Sequence, residues 1–104
     1  MQDTILTKVK KIQGISHTEF DDTINGWITS AKLDLKSVGI VKTLVDNPDS
    51  LIESAIINYV LSFLDVVNSE MYANSYMYQK DALRHTSEYI FEVSDGIPGN
   101  NISC

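Results

Sequence analysis

The stretch whose reading decides the fold is Leu51–Val67, LIESAIINYVLSFLDVV. Its apolar residues Leu51, Ile52, Ala55, Ile56, Tyr59, Val60, Phe63, Leu64 and Val67 recur at i, i+3, i+4 and i+7, the period of a helix. Ile57, Leu61 and Val66 widen the stripe until only a seam through Ser54, Asn58, Ser62 and Asp65 stays polar. A helix apolar around most of its circumference must be covered on several sides. This segment is therefore expected to be a central helix spanning about 48–67, with Ile56 and Phe63 buried. Asn47 is placed to cap it, and Pro48 suits a first helical position, where its missing N–H has no partner to lose. Asp49 and Glu53 then bring negative charge to the first turn, where the helix dipole favours it. A bilayer span needs about 20 apolar residues; this run is shorter and carries Glu53, Asn58 and Asp65, so no membrane role is expected.

Working outward, Ile5, Leu6, Val9 and Ile12 share one face of a short helix over 2–13, closed by Gly14 with Lys8, Lys10 and Lys11 toward its C-terminal end. A second helix opens near Thr18, with Ser16 or Thr18 as cap and Glu19, Asp21 and Asp22 in an acidic first turn. It runs to about Val38 through the core-face positions Phe20, Ile24, Trp27, Ile28, Ala31, Leu35 and Val38. Gly39 ends it, with Ile40 folding back on the last turn. Gly26 inside this helix costs about 1 kcal/mol relative to Ala, for which close approach of a neighbouring helix would be a compensating use. Residues 40–47 read either as an extended link or as a further helical turn. A fourth helix is expected over about 70–88, with Tyr72, Tyr76, Gln79, Leu83 and Thr86 on one side.

The fold class predicted is all-α, a small four-helix domain over 1–89 followed by an irregular, flexible tail over 90–104. Four tyrosines, Tyr72, Tyr76, Tyr78 and Tyr89, give the fourth helix amphipathic surface at low rotamer-entropy cost, suited to a partly buried position or to an interface. The tail, IFEVSDGIPGNNISC, loses periodicity and gains Gly96, Pro98 and Gly99. It keeps Ile90, Phe91, Val93 and Ile97, apolar residues that need a surface, either a partner's or that of their own bundle.

A chain of 104 residues, 43% hydrophobic and 21% charged, has the length and balance of one ordinary domain. Its net charge of −6, with only 8 Lys and Arg, opposes general phosphate binding, which runs on cationic side chains displacing counterions. The run KVKK at residues 8–11 is too short to reverse that balance. One cysteine, Cys104, forms no intramolecular disulfide, so the reducing cytoplasm is the expected compartment. The N-terminus has no long apolar segment after its basic residues and is not read as a signal peptide. His17 and His85 have no second His or Cys at ligand spacing. Asp21 and Asp22 are neighbours on a helix and point in different directions. With no phosphate loop, nucleophile elbow or calcium loop, no catalytic residue, metal or cofactor is expected, and the chain is not read as an enzyme.

Three strings carry a resemblance: EFDDTINGWITSAKLDLKSVGI with its Val-Gly-Ile stop, NPDSLIESAIINYVLSF entering the central helix, and SYMYQKDALRHTSEY. Over about residues 2–89 the chain resembles the small head-tail connector (head-completion or adaptor) proteins of tailed bacteriophages, particularly of phages infecting Gram-positive hosts. The resemblance implies a structural virion part, assembled in the host cytoplasm. Such a part forms a homo-oligomeric ring beneath the portal protein, extends the DNA channel with only passive contact to DNA, and offers a platform to a downstream head-completion or tail protein. It also implies that the tail residues Ile90, Phe91, Val93 and Ile97 would meet a neighbouring subunit or the portal. Two other classes stay open on the residues alone: a small acidic helical regulator or inhibitor of one partner protein, and, more weakly, a small enzyme using Asp or His. The charge balance predicts no measurable binding to duplex DNA near physiological salt, where non-specific binders reach about 10⁻⁴–10⁻⁶ M. A salt-sensitive gel shift at micromolar protein would contradict it.

Overall fold

The computed structural model describes residues 4–90. Six helices follow in order: α1 Ile5–Gln13, α2 Asp21–Ser37, α3 Lys42–Asp46, α4 Ser50–Leu64, α5 Ser69–Arg84 and α6 Ser87–Ile90. No strand occurs among the described residues, in keeping with the all-α class. The four helices expected from periodicity are α1, α2, α4 and α5. The ambiguous 40–47 segment forms the single-turn helix α3, and the end of the fourth helix breaks off as α6.

α4 lies at the centre, with α5 packed along one side and α2 and α1 along others. Ile52, Ala55, Ile56 and Val60 are fully buried and Leu61 is nearly so. Each large aliphatic among them contributes about 1.5–3 kcal/mol on leaving water. Around them stand Val9 of α1, Ile24, Ala31 and Leu35 of α2, Val45 of α3, and Tyr76 and Leu83 of α5. No polar or charged side chain is buried among the described residues apart from tyrosines. The core is thus held by apolar packing, with polar groups at its margin.

The helix ends follow local chemistry. Gly14 and Gly39 take φ of 69° and 99°, left-handed values that side-chain-bearing residues adopt only with strain. Past them the Ile15 and Ile40 N–H groups donate back to the Lys10 and Leu35 carbonyls at 2.9 and 3.3 Å, which closes both helices and buries Ile40. The second helix starts at Asp21 without a side-chain cap, so neither Ser16 nor Thr18 plays that part. Instead the Asp21 N–H donates to the Thr18 carbonyl at 3.1 Å.

Both ends of the central helix differ from the sequence expectation. Asp49, not Asn47, is the cap: its carboxylate accepts the Ile52 N–H at 3.0 Å. Asn47 closes α3 instead, its backbone N–H donating to Thr43 O at 3.0 Å. At the far end α4 stops at Leu64 rather than Val67. The Asp65 carboxylate accepts the Asn68 N–H and the Gln13 side-chain amide, each at 3.1 Å, and that pair turns the chain. Val66 and Val67, assigned to the apolar stripe by periodicity, are left 81% and 91% exposed.

Phe63 is also a correction. It lies on the apolar stripe but is 51% exposed, because the helices around α4 cover its first turns better than its last. Its ring stacks on Trp27 at 5.6 Å, 14° from parallel, and meets Tyr59 at 5.2 Å, tilted by 54°. Gly26 does not serve a close helix contact, since a Cβ built there meets nothing within 4 Å.

In urea denaturation, Ile56→Ala is expected to cost about 2–5 kcal/mol as a core truncation. Phe63→Ala should cost less, about 1–3 kcal/mol, from two aromatic pairs and partial burial. Gly26→Ala should gain about 0.5–1 kcal/mol. Equal losses from the first two would overturn this placement of α4.

Candidate interaction surface

The tyrosines that share α5 have separate fates, set by which side of the helix they occupy. Tyr76 turns inward and is 5% exposed, with its ring edge-on to Tyr59 at 5.1 Å. Its hydroxyl donates to the Asp34 carboxylate of α2, and Lys80, above the Tyr76 ring, donates to the same oxygen at 3.0 Å. Tyr72 is half-buried against the core. Tyr78 alone of the three stands out, 78% exposed. Ile90 closes α6 and packs on the core, whereas Phe91, Val93 and Ile97 lie outside the described residues.

Tyr89, next to Ile90, is buried, and its hydroxyl donates to the Asp49 cap of α4 at 2.6 Å. Its carbonyl accepts the Val41 N–H at 2.8 Å, so two hydrogen bonds fasten α6 to the entrance of α3 and to the cap of α4. Sequence reasoning gives Asp49 only a first-turn charge and has Asp34 facing out, and it finds neither tyrosine partner. Their signal lies in three-dimensional pairing with residues 42 and 40 positions away, which no local pattern shows.

On the outer side of α5, Met71, Asn74, Ser75, Tyr78 and Ala82 follow at i, i+3, i+4, i+7 and i+11 and so form one stripe. Leu51, 57% exposed, lies alongside from the start of α4. Two shallow depressions of about 340 and 460 Å³ flank Tyr78 and share it and Gln79 as a common wall. Gln79 bridges the two helices beneath, its side chain hydrogen-bonded to Asn58 at 2.6 Å and to Ser54 at 3.0 Å. The polar seam of α4 is thus where α5's amide lands. A second apolar exposure, Phe63 with Val66, Val67 and Met71, surrounds the α4–α5 turn.

Charge sits elsewhere, mostly in pairs. Lys8 meets Glu53 at 2.5 Å and Lys10 meets Asp21 at 2.8 Å, which ties much of the basic run to the acidic helices. Asp46 lies between Lys42 and Lys36, at 2.7 and 2.9 Å, and their hydrogen bonds hold its carboxyl down at about 2. Burial pushes the Asp34 and Asp49 carboxyls up, but the hydrogen bonds from Tyr76 and Lys80 to the first, and from Tyr89 and the α4 N-terminus to the second, leave both below the ordinary value. The Tyr89 phenol is pushed up to about 12 by Asp49 and by burial. His85 contacts the Asp81 carboxylate at 3.6 Å, and His17 lies edge-on to Phe20 at 5.3 Å. Among the described residues no three His, Cys, Asp or Glu side chains gather to hold a metal. No described helix is long and apolar enough to cross a membrane.

A bundle whose polar groups serve its own joints, with exposed apolar and tyrosine surface on α5, presents faces for other proteins. The family model described as phage connector protein matches residues 5–90, nearly all of the described chain. The chain belongs to the phage connector protein family. That membership makes it a structural virion component of the head-tail connector type. No curated protein and no solved structure matches it.

The carboxylates of this connector chain predict its acid behaviour. Asp34, Asp46, Asp49 and Asp65 all have folded pKa values below the ordinary 3.8. Their stabilisation is therefore present above that value and is lost as pH falls through the lowered ones. Melting temperature should hold from neutrality to about pH 5 and drop below about pH 4. Tyr76→Phe removes one of the bonds that lower Asp34, so it should cost about 1 kcal/mol at neutral pH and make the acid drop shallower. An unchanged acid profile in that variant would show that the Tyr76–Asp34 bond does not hold in solution.

Proposed function

We propose that this connector forms a closed homo-oligomeric ring beneath the portal protein of a tailed phage. There it extends the DNA channel and offers its outer end to the next head-completion or tail protein. The observation that carries the reading is the family match across residues 5–90, which spans all six helices apart from the chain ends. Two physical features support it. The net charge of −6 suits a wall along which DNA passes without adhering, since like charge repels the phosphates and few cations are available to displace counterions. A domain with exposed Phe63, Val66, Val67, Met71 and Tyr78 carries more apolar surface than isolated solubility requires, as a subunit of an assembly does. Closure by rotation makes the contacts head-to-tail, so two different patches of each subunit meet. The role asks for no catalysis and no cofactor.

The test is sedimentation velocity and negative-stain microscopy of the purified chain, alone and mixed with portal rings. The expected outcome is a closed ring, formed alone or templated on the portal. A chain that stays monomeric and does not co-sediment with portal rings would remove this reading and favour a regulator that binds a single partner.

A further inference from the structure

We infer that the uncharged outer face of the α4–α5 pair, centred on Tyr78, is a seam on which a second copy of the chain packs. The inference deepens the ring reading above and rests on it for the partner's identity. It begins from where charge is absent. Residues lining the two depressions beside Tyr78 include only one charged side chain, Glu88, at the α6 end. Two acidic residues border the stripe beside Asn74: exposed Glu70 one turn before it, and Asp81, already paired with Arg84 at 3.1 Å. Yet the chain as a whole carries −6.

Two copies of such a chain repel each other, and like charges brought face to face across an interface cost several kcal/mol. The acidic start of α2, with Asp21 and Asp22, is therefore a poor place to meet another acidic surface of the same chain. The α5 stripe is a place where a like-charged copy can settle without burying a charge. Its two large side chains agree, since interface centres are depleted in charge and enriched in Tyr and Met, while Ser75 and Ala82 are small and leave space beside them. Tyr78 projects between two recesses, so a neighbour's side chains have room on both sides of its ring. Asn74 and Ser75 offer hydrogen bonds without charge. The stripe also rests on a rigid base, since Gln79 locks α5 to Ser54 and Asn58 of α4 directly beneath.

The experiment compares the full chain with Tyr78→Glu and Asn74→Glu, and with Leu33→Glu as a control on the 61%-exposed outer side of α2. Each is followed by sedimentation velocity and microscopy, alone and on portal rings, with thermal circular dichroism to show that it folds. Tyr78→Glu and Asn74→Glu should melt as the parent does and weaken self-association by a factor of about 10 or more, from one unpaired charge placed in the seam. Leu33→Glu should assemble normally. Photo-crosslinking from Tyr78→benzoylphenylalanine should join copy to copy.

Rings that both seam variants form at the parent's concentration would overturn the seam and leave the ring reading intact. A two-fold dimer dissociated by Tyr78→Glu would keep the seam and overturn the ring. Crosslinks from position 78 that reach only the portal, or only residues 91–104 of the same chain, would overturn the seam. So would a parent chain that never contacts another copy, alone or on the portal.

Discussion

Everything in this domain depends on covering α4. A helix with Ile52, Ile56, Val60 and Leu61 all buried is unstable in water by itself, and no single neighbour can enclose it. Three long segments therefore converge on it, and the short ones serve as joints between them. The polar contacts are placed accordingly. Lys8–Glu53 fixes α1 to α4, Gln79 fixes α5 to α4, and Asp34 fixes α2 to α5 through Tyr76 and Lys80. Each of these bonds sits at the edge of the apolar core, where water still reaches its partners in part. Such bonds contribute modestly to stability, on the order of 1 kcal/mol each, and strongly to the relative orientation of the helices.

What the chain shows in one dimension is the existence and inner face of each long helix. The i, i+3, i+4 pattern correctly picks Ile24, Ile28, Ala31 and Leu35 in α2, and Ile52, Ala55, Ile56 and Val60 in α4. It overreaches at helix ends: Phe20, just before α2, is 46% exposed and Leu51, in the first turn of α4, 57%. Phe63, Val66 and Val67 keep the apolar character but lie at the end of α4 or past it, where cover runs out. Periodicity describes a direction around a helix axis and says nothing of how far along that axis another element extends. Capping shows a similar limit: Asn47, Asp49 and Pro48 are all plausible neighbours of a helix start, and the residue that caps, Asp49, also accepts the hydroxyl of Tyr89, 40 residues away.

The candidate surface was readable only in part. Tyr-rich α5 stood out by composition, but composition does not divide Tyr76, whose hydroxyl meets Asp34, from Tyr78, which meets solvent. The difference is about 200° around the helix, which two steps of a 3.6-residue period produce. The outer stripe of Met71, Asn74, Ser75 and Tyr78 was hidden because two of its members are polar. Its distinguishing property is neutrality within an acidic chain, which a search for hydrophobic runs does not detect.

The fastening of α6 has a mechanical meaning. Tyr89 reaches Asp49, the residue that caps the central helix, while its carbonyl holds the Val41 N–H at the entrance to α3. A pull at Ile90 would therefore be shared between α5, to which α6 is joined, the core on which Tyr89 and Ile90 pack, and the two hydrogen bonds that reach Asp49 and Val41. α6 thus works as a clasp, coupling the C-terminal end of the described chain to the first turn of the central helix.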